Sequence, residues 1–135
     1  MILRGYHCNG CDQLREATQF VRLANVPKTL TVHLKRFQWD QRNNRPQKIQ
    51  TLVDFPLSGF NLRKFVGAED KEKETSYSLS GIVNHHGNDR NGHYTAYCLN
   101  NQNNCWYYYN DRTVTKVDIT CVTNVNAYIL FYNKV

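Results

Sequence analysis

Gly92-His93-Tyr94-Thr95-Ala96-Tyr97-Cys98, followed by Trp106-Tyr107-Tyr108-Tyr109-Asn110-Asp111, says more about the architecture than any other part of the chain. Both runs are short, aromatic and made of residues that favour extended backbone. They read as neighbouring strands joined by the Asn-rich segment 100–104, whose composition marks a tight turn. A histidine that opens one strand and an asparagine that closes its neighbour can meet across an antiparallel pair. His93 and Asn110 stand in that relation, seventeen residues apart. A thiol hydrolase needs an imidazole to deprotonate its nucleophile and a polar group to hold that imidazole in one tautomer. Both of those roles have a candidate here; the nucleophile has none.

Working outward, the segment 14–24 alternates well enough through Ala17, Phe20 and Leu23 for a strand that Val26-Pro27 ends. In 29–37, Leu30, Val32 and Leu34 fall on one face and Thr31, His33 and Lys35 on the other, the period-2 pattern of a half-buried strand. Residues 39–46 are polar and rich in Asn and Arg, which predicts a loop, and 48–55 reads as a further strand stopped by Pro56. The mixed-charge stretch 67–75 predicts a solvated loop. Strand-like runs then occupy 77–84, 94–99, 106–109 and, to close the chain, 127–132, with one helical turn predicted over 117–123. The expected architecture is an antiparallel sheet with little helix.

At 135 residues the chain fits one domain with its own core. It has no apolar run long enough for a transmembrane helix, and its opening residues turn polar too soon for a secretory signal peptide. Its five cysteines are odd in number and scattered, which favours a reducing cytoplasm or nucleus over a secreted disulfide scaffold. The formal charge of +6 is dispersed rather than gathered on one stretch, so neither nucleic acid nor a membrane is expected as a partner.

Taken in order, Tyr6-His7-Cys8-Asn9-Gly10-Cys11, Val26-Pro27 through Thr31-Val32-His33-Leu34-Lys35-Arg36-Phe37, Val53-Asp54-Phe55-Pro56-Leu57, Tyr77-Ser78-Leu79, His85 through Tyr97, Trp106 to Asp111 and Ala127 to Tyr132 form a recognisable series. The chain resembles the C-terminal half of a ubiquitin-specific protease (ubiquitin carboxyl-terminal hydrolase) catalytic domain over almost its whole length. The resemblance implies an α+β papain-like fold of fingers, palm and thumb, of which this chain would be the mainly β palm and fingers portion. Residues 1–26 would end the zinc-ribbon fingers and 27–135 would form the palm, with the N-terminal Cys-box and thumb portion absent.

The resemblance further implies hydrolysis of the isopeptide or peptide bond after ubiquitin's C-terminal glycine, with no catalytic cofactor. His93 matches the general base, Asn110 the residue that orients it, and Asp111 an adjacent acidic support. Asparagine can accept the imidazole N–H and fix the tautomer without adding a charge. Gly92 would let a slender substrate tail pass close to the backbone, and Tyr94, His85 and His86 are candidate substrate contacts, each with an equally good structural reading. His33 is expected to be structural, and the segment 39–46 matches a loop over the cleft.

Cys8 and Cys11 form a C-x-x-C knuckle that can hold half of a tetrahedral zinc site, whose other ligands would lie outside this sequence. The nucleophilic cysteine is likewise expected elsewhere. Cys98 is too local to His93 on one strand, and Cys105 and Cys121 read as small buried hydrophobes. Two functions follow: part of a thiol-dependent deubiquitinase, inactive alone and partnered by ubiquitin or by the missing half of the domain, or a catalytically dead ubiquitin-binding pseudoenzyme. With the thumb missing, one apolar sheet face would lack its cover.

Overall fold

Alternating burial requires extended backbone, and strands account for most of this molecule. The computed structural model describes residues 1–67, 74–88 and 90–135. Its strands are β1 (Ile2–Cys8), β2 (Gln13–Thr18), β3 (Thr29–His33), β4 (Phe37–Asp40), β5 (Arg45–Lys48), β6 (Phe60–Asn61), β7 (Ser76–Gly87), β8 (Gly92–Asn100), β9 (Cys105–Asn110), β10 (Thr113–Val117) and β11 (Ala127–Lys134). One antiparallel sheet runs in the order β10-β9-β8-β7-β11-β3, with β6 beside β7, while β1-β2 and β4-β5 are separate two-stranded ribbons. The only helical element among the described residues is a 3-10 turn, Ile119–Cys121, capped by the Asp118 carboxylate.

The expected antiparallel sheet with little helix is therefore present. Its core lies on one face, where Leu79, Ile82, Trp106, Leu130 and Tyr132 cluster with Phe55 of the irregular segment after β5 and with Leu62, which follows β6. Two buried phenols are satisfied by carbonyls: the Tyr77 hydroxyl donates to Pro27 O at 2.6 Å and the Tyr132 hydroxyl to Pro56 O at 2.8 Å. Burial pushes the Tyr132 pKa up to about 12. The opposite face carries Val83, Ala96, Cys98, Ile129 and Phe131, all half-buried.

Several boundaries differ from the sequence reading. β2 stops at Thr18, leaving Phe20 and Val21 exposed, and Leu23 makes only an isolated bridge to Val66. The alternation over 29–35 is present, but β3 ends at His33. Residues 39–46, predicted as a loop, belong mostly to the β4–β5 hairpin, with Trp39 opposite Pro46. Its turn is closed by the Asp40 carboxylate, which accepts from Arg42 N and Asn43 N, and by Asn44 in the left-handed region. Most of the predicted loop 67–75 lies outside the described residues.

The predicted strand 48–55 fails for an identifiable reason. Arg36, only 2% exposed, takes the carbonyls that a ladder would have used. Its Nη1 donates to Ile49 O at 3.0 Å and Thr51 O at 2.8 Å, while Nε donates to Ala127 O at 2.6 Å. One guanidinium thus ties the start of β11 to the segment leaving β5. Burial holds its pKa below the usual value, yet no described carboxylate compensates the charge. Carbonyl dipoles do so instead.

Replacing Arg36 by Ala removes three charge-assisted bonds, one of them buried and two part-buried, which should lower unfolding stability by about 3 kcal/mol or more. Arg36→Lys should recover little, because an ammonium lacks the planar fork. Denaturant midpoints for the two variants check this; a loss in Arg36→Ala below about 1 kcal/mol would show that the segment is held by other contacts.

Candidate active site

Antiparallel register brings the polar residues together. Ala96 pairs with Tyr109, so the next rung outward sets Asn110 beside Thr95, and His93 follows on the same face of β8. The His93 Nε2 lies 2.7 Å from Asn110 Oδ1. An amide oxygen only accepts, so this contact puts the ring proton on Nε2 and leaves the Nδ1 lone pair free to take a proton. The Asp111 carboxylate is farther, 3.9 Å from the same nitrogen, and stands in the left-handed region (φ 50°) at the start of the β9–β10 turn. With side chains 48% and 78% exposed, His93 and Asp111 form a screened pair.

His86 is the cross-strand partner of His93, and its Nε2 lies 2.9 Å from the hydroxyl of buried Thr95. Burial lowers the His86 pKa, with Lys48 and His93 adding to the effect. His85 points the other way. It is buried among the rings of Tyr94 (4.9 Å between centroids), Phe37 (5.2 Å) and Tyr128 (6.0 Å), and burial followed by Lys48 and His86 lowers its pKa. Tyr94 is 55% exposed and packs on His85 and Tyr128. His33 lies edge-on against Tyr128.

Gly92 has a structural reason that spacing alone did not disclose. A β-carbon there would overlap the His85 ring at Nε2, and that ring is hemmed in by its aromatic neighbours. The candidate residues thus divide by face: His86, His93 and Asn110 on the core face of the sheet end, His85 and Tyr94 on the other. A cleft of about 320 Å³ opens on that second face between Phe37, His85, Arg90, Gly92 and Tyr94. Thr95 and Phe37 were not singled out in the sequence. Thr95 had a signal, its position two residues after His93; Phe37 had none.

No cysteine joins His93 among the described residues. Cys98 is five residues along β8 and therefore faces the other way, and burial pushes its thiol up. Cys105 Sγ donates to Asn103 O, and Cys121 sits in the 3-10 turn.

Cys8 ends β1, and its carbonyl accepts from Cys11 N and Asp12 N to make the knuckle turn. The backbone N–H of Gly10, then that of Cys11, lowers the Cys8 thiol pKa, an arrangement suited to a metal-bound thiolate. Among the described residues, however, no group of three or more His, Cys, Asp or Glu side chains gathers to hold a metal. The described residues bring no further ligand group to the two cysteines of the knuckle. Nor is any described helix long and apolar enough to cross a membrane.

Residues 3–132 match the family profile for ubiquitin carboxyl-terminal hydrolase. Among solved structures, the SAGA Ubp8/Sgf11/Sus1/Sgf73 DUB module bound to ubiquitin aldehyde is similar at 27% identity and a TM-score of 0.82, covering 100% of this chain and 31% of that one. The module bound to monoubiquitin gives 26% identity and a TM-score of 0.79, covering 100% and 30%. A yeast SAGA DUB module with a substituted Sgf73 gives 28% and 0.72, covering 84% and 26%. The chain spans less than a third of the length of these solved chains. With the profile extending over nearly every residue and the fold shared end to end, the chain belongs to the ubiquitin carboxyl-terminal hydrolase family.

Proposed function

We propose that the chain supplies the base and its orienting residue to a thiol-dependent deubiquitinase that cleaves the bond after ubiquitin's C-terminal glycine. The observation that supports this most is the 2.7 Å contact between His93 Nε2 and Asn110 Oδ1 on adjacent strands of a family member. In the proposed reaction, His93 Nδ1 takes the proton of a cysteine thiol contributed by residues outside this sequence. The thiolate attacks the carbonyl carbon, and His93 passes the proton to the departing amine. Water then attacks the thioester, His93 again taking a proton, and the thiol and the ubiquitin carboxylate are released.

Asn110 keeps the ring in the productive tautomer, and Asp111 adds a weak, screened field. Tyr94, Gly92 and, through its packing, His85 shape the path of the ubiquitin tail, with His86 beside the base. In this reading residues 1–26 close a finger ribbon whose zinc would take Cys8 and Cys11 with ligands from elsewhere, and 27–135 form the palm. Ubiquitin is the partner in this reading, in a nuclear or cytoplasmic setting. The absence of a described thiol facing His93 favours one other reading, a ubiquitin-binding chain without turnover.

Hydrolysis of a ubiquitin–fluorophore conjugate by the full-length protein tests the assignment. His93→Ala should lose on the order of a thousandfold in kcat, the scale of general-base catalysis, and Asn110→Ala clearly less. Wild-type rates in both variants would remove His93 and Asn110 from the mechanism, while ubiquitin binding without any wild-type turnover would establish the inactive reading.

Gly92→Ala drives a methyl group into the His85 ring, so kcat/KM should fall by about tenfold or more as the start of β8 shifts. Gly92→Ala at wild-type activity would mean that His85 moves aside freely.

Thiol reactivity separates the cysteines. A lowered pKa enlarges the thiolate fraction at neutral pH and a raised one shrinks it. In metal-free protein, an iodoacetamide pulse at pH 7 followed by mass spectrometry should therefore mark Cys8 well before Cys98. The reverse order would contradict the environments described.

A further inference from the structure

Strand β7 runs past the point where its neighbour stops. Its pairing with β11 ends at Asn84 and Ala127, and beyond it His85 N–H still reaches Asn126 O at 2.9 Å. In an extended strand the N–H and C=O of one residue project to the same side, as do those of the residue two places on. The carbonyls of His85 and Gly87 therefore leave β7 along an edge that no described strand covers. Unpaired carbonyls of this kind need another donor.

Lys48 supplies it. The Nζ donates to His85 O at 2.6 Å and to Gly87 O at 3.1 Å, standing where the next strand would have been. Lys48 is the last residue of β5, and its rung partner across the hairpin is Phe37. Phe37 in turn packs edge-on against the His85 ring, 5.2 Å between centroids. A single rung of the β4–β5 hairpin thus grips His85 twice, by its carbonyl and by its ring. Between the two carbonyls lies His86, the direct cross-strand partner of His93.

We propose that Lys48 is a positioning residue for His93, acting with Phe37 as a clamp that fixes the open end of β7 and, through the β7–β8 rungs, the start of β8. This rests on the reading of His93 as the base. The clamp also joins the hairpin to the site, so that the segment carrying Trp39 and the strand carrying His93 share one anchor.

The electrostatics fit the same role. The ammonium is partly desolvated, its proton affinity lowered first by burial and then by Arg36, and no described carboxylate pairs with it. Its charge is directed at two carbonyl dipoles and acts on the imidazoles beside them. Among the described residues, Lys48 from the hairpin and His93 from β8 act on His86, and Lys48 and His86 act on His85, whose ring also meets the Tyr94 and Tyr128 phenols and shares its cleft with Arg90. Lys48 disfavours a second positive charge on either ring and so helps keep both imidazoles neutral next to the base.

The test uses the full-length protein. Lys48→Met keeps the apolar stem and removes both donors and the charge. The expected result is a fall in kcat on a ubiquitin–fluorophore conjugate of ten- to a hundredfold, on the order found for small displacements of a reacting group. The His86 imidazole should titrate at higher pH by NMR, since a nearby cation is gone, and the amides of 37–48 should exchange faster. Lys48→Arg retains charge and donors and should restore most of the turnover and the low His86 midpoint.

Unchanged kcat in Lys48→Met overturns the proposal, and so does a loss of kcat with no movement of the His86 midpoint. Should Lys48→Met fail to fold, Lys48→Arg decides alone: turnover near wild type supports the clamp, and a defect as deep as that of His93→Ala refutes it. Full activity in His93→Ala would instead bring down the reading of the base, while hydrogen exchange and the His86 titration would still report on the clamp.

Discussion

The site depends on the register of β7, β8 and β9. Side chains on a strand alternate with period 2, so a slip of one residue between β8 and β9 would turn Asn110 to the opposite face and separate it from His93. Several independent contacts hold the register. Tyr97 and Tyr108 stack as a cross-strand pair with centroids 4.9 Å apart, and Trp106 is buried opposite Leu99. The turn between the strands is stapled by Asn side chains: Asn100 Oδ1 accepts from Gln102 N, and Asn103 Oδ1 from Cys105 N. On the other side, Ile82 faces Tyr97 and anchors β8 to the core. Apolar burial chooses the face, and the Asn-rich turn fixes the count.

A second constraint is the treatment of backbone groups where strands run out. The sheet has ragged ends because β11 starts late and β3 is short, and the exposed carbonyls would be costly if left without donors. Cations from elsewhere in the chain meet this need. Arg36 reaches Ala127, Ile49 and Thr51, and Lys48 reaches His85 and Gly87. In both cases a side chain near the hairpin replaces a missing ladder. The segment after β5 gives its Ile49 and Thr51 carbonyls to Arg36 instead of to a ladder, and it places Phe55 in the core, as Leu62 does after β6.

This explains what was legible in the sequence. The runs that became β7, β8, β9 and β11 announced themselves through their apolar and aromatic residues, because burial on one face imposes alternation whatever the tertiary context. The β4–β5 hairpin did not. Most of its residues are polar, it contains Pro46, and it is held by Asp40 at the turn and by Lys48 and Phe37 at the base rather than by a continuous apolar face. Residues 48–55 looked like a strand because Ile49, Leu52, Val53 and Phe55 are apolar, and nothing local foretold that a guanidinium 13 and 15 positions upstream would claim the carbonyls of Ile49 and Thr51. The His93–Asn110 pairing was readable from spacing. The division of His85 from His86 was not, since adjacent residues of one type give no hint of which face each will take.

The geometry also gives a physical reason for setting Asn110 ahead of Asp111, the order that the family resemblance implied. Asn110 and Asp111 are neighbours, and either could have been the partner of the imidazole. A full negative charge would stabilise an imidazolium more than an amide dipole does, provided it were close and shielded from water. Here it is neither: the carboxylate is 3.9 Å from Nε2 and largely solvated, whereas the amide oxygen is at 2.7 Å in hydrogen-bonding contact. The left-handed backbone of Asp111 is what a tight β9–β10 turn demands, and it turns that side chain outward while leaving Asn110 as the last residue of the strand. The turn, rather than the acidity of either residue, therefore decides which one orients His93, and it leaves the ring held by a neutral partner with its second nitrogen open.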